Sequence, residues 1–166
     1  IPIVDEQGTV RPYVWKARER GIVFDVGHGG GSFVYEQVVP AMEQNFPPDV
    51  ISTDLHTGSM NSGMKNMLNV MSKFLNLGMP LVEVIGASTV RPARCIQRED
   101  LGHLGKGAMA DLAILRVEKG NFGFMDTRGR KIAGDRKLIS ELTLLEGQVV
   151  WDLNGLSAPS WEKDSE

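Results

Sequence analysis

The sequence predicts an α/β fold with a small β unit attached, and three observations carry that prediction. Two apolar runs, Ile22-Val23-Phe24-Asp25-Val26 and Val50-Ile51-Ser52-Thr53, each empty into a polar turn, Gly27-His28-Gly29-Gly30-Gly31-Ser32 and Asp54-Leu55-His56-Thr57-Gly58-Ser59. Between them, apolar residues recur at three- and four-residue spacing, the mark of a helix, so the whole reads as a strand, helix, strand unit with both strand ends on one rim. Beyond about residue 101 the chain turns to strand-like composition broken by glycine turns.

Taken in order, residues 1–9 read as a loop with a turn at 5–8. Pro12 and Gly21 bracket a short helix over 13–20, and its charges, Lys16, Arg18, Glu19 and Arg20, point to a solvated face. Residues 22–26 are nearly continuous in apolar side chains, as expected of a strand covered on both faces. Ser32 is placed to cap the next helix, which carries Val34, Val38, Ala41 and Met42 on one face and is ended by Pro47 and Pro48. After the second strand, over 50–53, a loop over 55–65 with Gly58, Ser59, Asn61, Ser62 and Gly63 is expected to be mobile. Asn66 caps a helix whose Met67, Val70, Met71, Phe74 and Leu75 fill the core, and Gly78 stops it. Pro80 and Pro92 open two further helices, over 80–87 and 92–98. Strand composition returns over 112–117, and residues 138–145, the Glu146-Gly147 turn and 148–152 form a hairpin. The expected organisation is therefore an α/β part over 1–100, a β unit over 101–156 and a polar tail over 157–166.

With 166 residues the chain can bury a core but is too short for a complete eight-stranded α/β barrel, which takes about 250. Its 18 Lys and Arg are spread without a block against 21 Asp and Glu, a formal charge of -3, which argues against nucleic acid as a partner. The single cysteine, Cys95, makes a reducing cytoplasm the default expectation. Nothing approaches the length of an apolar membrane span. The chain opens at Ile1 rather than Met, as a fragment or processed product would.

Asp54 is the most informative residue. A carboxylate at the end of an apolar strand binds a cation, orients a histidine or accepts a proton, or else it stabilises a turn or a helix start; the residues alone weigh these equally. His28 and His56 are candidate ligands or substrate donors, each also readable as a structural histidine. A metal site takes three or four ligands, and the remaining histidine, His103, lies in the β unit, so the chain does not close such a site alone. Gly27-x-Gly29-x-x-Ser32 after a strand offers a second reading, a non-catalytic phosphate- or nucleotide-binding module with backbone amides facing the ligand, although Ser32 stands where a third glycine belongs.

Several motifs taken together are similar to those of the amidohydrolase superfamily, in its deacetylase or dihydroorotase-like branch. They are Phe24-Asp25-Val26-Gly27-His28-Gly29 with Ser32-Phe33, Ile51-Ser52-Thr53-Asp54-Leu55-His56, Asn69-Val70-Met71-Ser72-Lys73-Phe74, Ala87-Ser88-Thr89 with Arg91-Pro92-Ala93, and Gly105-Lys106-Gly107-Ala108-Met109-Ala110-Asp111-Leu112. This resemblance, over roughly residues 3–154, implies the carboxyl-terminal part of a TIM-like (β/α)8 barrel, its seventh and eighth strands with their helices, plus part of a small β-sandwich. It also implies one or two divalent metal ions, usually zinc. Asp54 would be both metal ligand and catalytic general base, and His28, Gly29, Gly30, His56 and Ser59 would line the pocket of a small-molecule substrate with an amide or acyl-ester bond. The superfamily's other ligands, a His-x-His, a lysine and two more histidines, have no counterpart here and would belong to a missing amino-terminal half. The isolated chain is then expected to be inactive, with exposed sheet edges and apolar faces that favour association, including with its own copies.

Overall fold

The computed structural model describes residues 2–60 and 63–161. Helix α1 (Pro12–Glu19) precedes β1 (Asp25–Gly27), α2 (Tyr35–Glu43) and β2 (Val50–Ser52). Three helices follow in a row, α3 (Met67–Asn76), α4 (Leu81–Ser88) and α5 (Val90–Cys95), and then the strands β3 (Leu112–Met125), β4 (Lys131–Leu145) and β5 (Gln148–Asp152). β1 and β2 pair in parallel across α2, with Asp25 opposite Val50 and Gly27 opposite Ser52, while β3, β4 and β5 form an antiparallel sheet in that order. The strand, helix, strand unit and the terminal hairpin thus stand as expected. Asn61, Ser62 and residues 162–166, expected in a loop and a tail, lie outside the described residues.

Where sequence and structure differ, long-range contact is the reason. β1 is shorter than expected, and Ile22 and Val23 are about half exposed rather than covered on both faces, since among the described residues β2 is the one strand that pairs with β1. Arg18 does not point to solvent. Its guanidinium lies 3.6 Å from the Phe46 ring centroid and donates to the Pro47 carbonyl at 2.6 Å and to Asp49 at 3.3 Å, tying α1 to the entry of β2. The last two helices divide at Thr89, so α5 begins before Pro92 and ends sooner than the spacing suggests.

Ser32 does not cap α2; the N-cap is Val34, without a side-chain bond of its own. The carboxylate of Asp126, from the β3–β4 turn, accepts instead from the Tyr35 amide at 3.1 Å and from the Arg128 and Arg130 amides at 2.9 and 2.8 Å. The Tyr35 hydroxyl donates to the Phe124 carbonyl at 2.9 Å, and Thr127 donates to the Phe33 carbonyl, so this turn is seated on the start of α2. At the start of α3 the local expectation holds: Asn66 accepts from the Asn69 amide at 2.9 Å.

The main core runs between the α/β unit and the antiparallel sheet. Phe33, Ile51, Met64, Val70, Phe74, Leu75, Val84 and Leu138 are buried together, and Leu115, Val117 and Ile132 of the sheet pack against them. Burying each large side chain contributes roughly 1.5–3 kcal/mol. Polar contacts set the register of α3 on β4. Asn76 Nδ2 donates to the Arg136 carbonyl at 2.7 Å, Asn76 Oδ1 accepts from the Asp135 amide at 2.9 Å, and the Leu138 amide donates to Ser72 Oγ at 2.9 Å. Gly134 leaves the room this needs, because a Cβ there would meet the Asn76 side chain at 2.6 Å.

Candidate functional site at the ends of the parallel strands

The two parallel strands deliver His28-Gly29-Gly30 and Asp54 to one rim. The amide of Gly29 donates to the Thr53 carbonyl at 2.8 Å, which holds the turn after β1 against the exit of β2. Gly29 has φ +48°, and a Cβ built on it would stand 2.5 Å from Asp54 Oδ2. Glycine is required there twice over, for the left-handed backbone and for the space that the carboxylate occupies. Asp54 itself has φ +48°, a conformation that Asp tolerates better than most residues. Its side chain is exposed on the rim, and among the described residues it engages in no hydrogen bond.

His56 is also exposed, at the start of a tight turn. Its amide donates to Ser59 Oγ at 3.0 Å, Ser59 Oγ donates to the His56 carbonyl at 3.0 Å, and the Gly58 amide donates to His56 Nδ1 at 3.1 Å. With Nδ1 accepting, the neutral ring presents Nε2–H outward. Ser59 is fully buried, and Gly30 sits against it, a Cβ on Gly30 lying 3.5 Å from Ser59 Cβ. Asp54, His56 and Gly30 therefore face solvent on the rim, whereas Ser59 supports it from beneath.

His28, expected to line a substrate pocket, is fully buried. Its ring stacks on Phe33 with centroids 4.5 Å apart; Nδ1 lies 3.0 Å from the Gly29 carbonyl and Nε2 lies 2.7 Å from Lys73 Nζ. An ammonium can only donate and a carbonyl can only accept, so His28 is neutral, with its proton on Nδ1. Burial, aided by the neighbouring Lys73 charge, pulls its pKa down to about 4 against the upward pull of the Gly29 carbonyl. Burial likewise lowers Lys73 to about 8. Asp126 loses by burial, but the amides of Tyr35, Arg130 and Arg128 outweigh that and keep its pKa below the usual value.

Lys73 and Asp126 are buried charged residues beside His28 and the start of α2 that the strand-end motifs do not include. Lys73 does leave a signal, a lysine beside Phe74 within the apolar stretch of α3, where an uncompensated charge would be costly. Asp126 reads locally as a turn residue, accepting from the Arg128 and Arg130 amides, and nothing near it in sequence points to its third donor, the Tyr35 amide 91 residues away.

A metal ion needs three or four ligands, and among the described residues no group of three or more His, Cys, Asp and Glu is placed to hold one. The residues present, one rim carboxylate and one exposed imidazole, do not make up such a site. The phosphate reading also loses its footing. The Tyr35 amide at the start of α2 already donates to the Asp126 carboxylate, so the protein's own acceptor occupies that helix end.

Fold and site define an α/β protein of the kind that carries its chemistry at the carboxyl ends of parallel strands, backed by an antiparallel sheet. Residues 35–147 match the amidohydrolase family, and the chain belongs to that family, whose members typically use a divalent metal. It is 38% identical over 109 residues to a deacetylase of Brucella anthropi and 35% identical over 109 residues to a deacetylase of Agrobacterium fabrum, in each case covering 66% of this chain and 27% of the relative. Among solved structures it resembles an adenine deaminase, with a TM-score of 0.85 at 26% identity over 90% of this chain and 41% of that one. It also resembles a dihydroorotase, with a TM-score of 0.72 at 28% identity over 84% of this chain and 39% of that one. The chain thus spans about a quarter to two fifths of the length of these relatives.

Proposed function

We propose that this chain is the carboxyl-terminal part of a metal-dependent amidohydrolase that hydrolyses an amide or acyl-ester bond of a small molecule, as a deacetylase does. In this reading β1 and β2 are the seventh and eighth strands of a (β/α)8 barrel, and β3, β4 and β5 belong to its β-sandwich. The observation that carries the proposal is the Asp54 carboxylate, exposed at the end of β2 in the space beside Gly29 that a side chain there would fill. A carboxylate so placed can accept a proton and return it to a leaving group. Gly29, Gly30 and His56 border the space beside it, and His56 Nε2–H can donate to a substrate oxygen.

The described residues offer a metal no more than this carboxylate and the neighbouring imidazole, so the other ligands of a zinc or similar ion would come from polypeptide outside them. The 166-residue chain alone is accordingly inactive in this proposal. Cytoplasmic residence is part of it as well; among the described residues no helix is long and apolar enough to cross a membrane. The test compares the 166-residue chain with a longer enzyme that contains it, on N-acetyl and acyl-ester substrates, with metal content measured on both. Hydrolysis by the longer enzyme, its loss by a hundredfold or more in Asp54→Asn, and no turnover by the short chain are expected. Turnover and stoichiometric zinc on the short chain would overturn the proposal.

A further inference from the structure

Lys73 is fully buried on α3, yet each of its three ammonium protons has an acceptor, and each acceptor comes from a different segment. His28 Nε2 in the turn after β1 lies at 2.7 Å, the Met125 carbonyl at the end of β3 at 2.7 Å, and the Gly63 carbonyl in the loop after β2 at 3.0 Å. The last two segments are pressed together closely enough that a Cβ on Gly63 would meet the Asp126 carbonyl oxygen at 2.3 Å. A charge without partners at this position would be costly, and an apolar side chain would fill the volume as well. What the ammonium adds is direction, because it joins three backbone segments at one point.

We infer that Lys73 is a positioning residue for the rim, setting through His28 the Gly29 peptide against which the Asp54 carboxylate lies. The contacts are continuous. Lys73 donates to His28 Nε2; His28 Nδ1–H donates to the Gly29 carbonyl at 3.0 Å; the Gly29 amide donates to the carbonyl of Thr53, the residue before Asp54, at 2.8 Å. Asp54 Oδ2 then fills the place of the side chain that Gly29 lacks. Phe33, stacked on His28 and 5.2 Å from the Lys73 ammonium, closes the assembly on its inner side. The inference rests on the reading of Asp54 as the working group of the rim, and it names the buried charge that holds that group in place.

Lys73→Met keeps the unbranched stem and removes all three donors, and NMR on the 166-residue chain reads the result. Amide protection in α3 should persist while the Gly29 amide exchanges at least tenfold faster. The His28 ring should pass from the Nδ1–H form to a mixture of tautomers, and the proximity between Gly29 Hα and Asp54 Hβ should weaken. A purely structural lysine predicts something else, protection lost evenly over α3 and β4 with Gly29 in step. Either that outcome, or a folded variant with Gly29 exchange and the His28 tautomer unchanged, overturns the inference. If the variant does not fold, the native chain answers through hydrogen exchange of the Lys73 ammonium and the Gly29 amide. Protection factors within tenfold of one another support the inference; a Gly29 amide more than tenfold less protected overturns it. None of these readouts uses turnover, so their success beside an active Asp54→Asn enzyme would sink the functional reading alone, and their failure beside an inactive one would sink the positioning alone.

Discussion

The carboxylate of Asp54 stands in the volume that any side chain at Gly29 would need, with Oδ2 2.5 Å from the position of the missing Cβ. The two residues come from the ends of different strands, so the fit is a property of the parallel pair and not of either turn. Gly29→Ala should therefore lower stability, about 1–2 kcal/mol of it from the left-handed backbone alone, and should also displace the carboxylate. Gly31→Ala, where a Cβ would meet nothing within 4 Å, should be close to neutral. Urea denaturation of the two variants beside the unmodified chain checks the contrast.

His28 predicts an acid-sensitive fold. Its pKa falls from 6.5 when unfolded to about 4 when folded, mainly through burial. A group whose folded pKa is depressed contributes stability that is fully present above the unfolded value and is lost as pH falls through the folded one. Between pH 6.5 and pH 4 this group should thus remove about 3 kcal/mol, at roughly 1.4 kcal/mol per pH unit. In His28→Gln that component of the pH dependence should vanish, with overall stability lower at neutral pH. Equal pH slopes for the two proteins in urea melts from pH 7 to pH 4 would contradict this.

The start of α2 offers a contrast between a local and a distant cap. Ser32→Ala should be nearly silent, because Ser32 makes no capping bond. Asp126→Ala should cost about 2 kcal/mol or more, since three backbone amides lose their acceptor. Thermal melting of the pair decides between them.

Asn76 predicts how firmly α3 holds the sheet. Asn76→Ala leaves the Asp135 amide and the Arg136 carbonyl of β4 without their partner, at roughly 1–3 kcal/mol for each group that stays buried. A loss of about 2–4 kcal/mol is expected, with hydrogen exchange accelerated first around residues 134–138 of β4. Unchanged exchange there would show that the ladder with β3 holds β4 without the helix.

Local signals alone were enough for the Asn66 cap, the Pro80 start of α4, the turn at Glu146-Gly147 and the two strand ends, because in each the interacting groups lie within a few residues of one another. The strand-end motifs also pointed to Asp54 and His56, both of which reach the rim. What stayed hidden depends on distant partners. β3 runs on through Glu118, Lys119 and Gly120, and β4 starts well before Leu138, because pairing between the two strands outweighs the weak strand preference of those residues.

The sequence by itself determined the α/β class, the family motifs and the carboxylate at position 54, since hydrophobic spacing and short-range turn chemistry are written along the chain. Only the tertiary structure decided that His28 turns inward to Lys73, 45 residues away, and that Asp126 caps a helix 91 residues before it. A buried charge or amide takes whichever partner folding brings within about 3 Å. That choice depends on how α2, α3 and the antiparallel sheet pack, which no local pattern encodes.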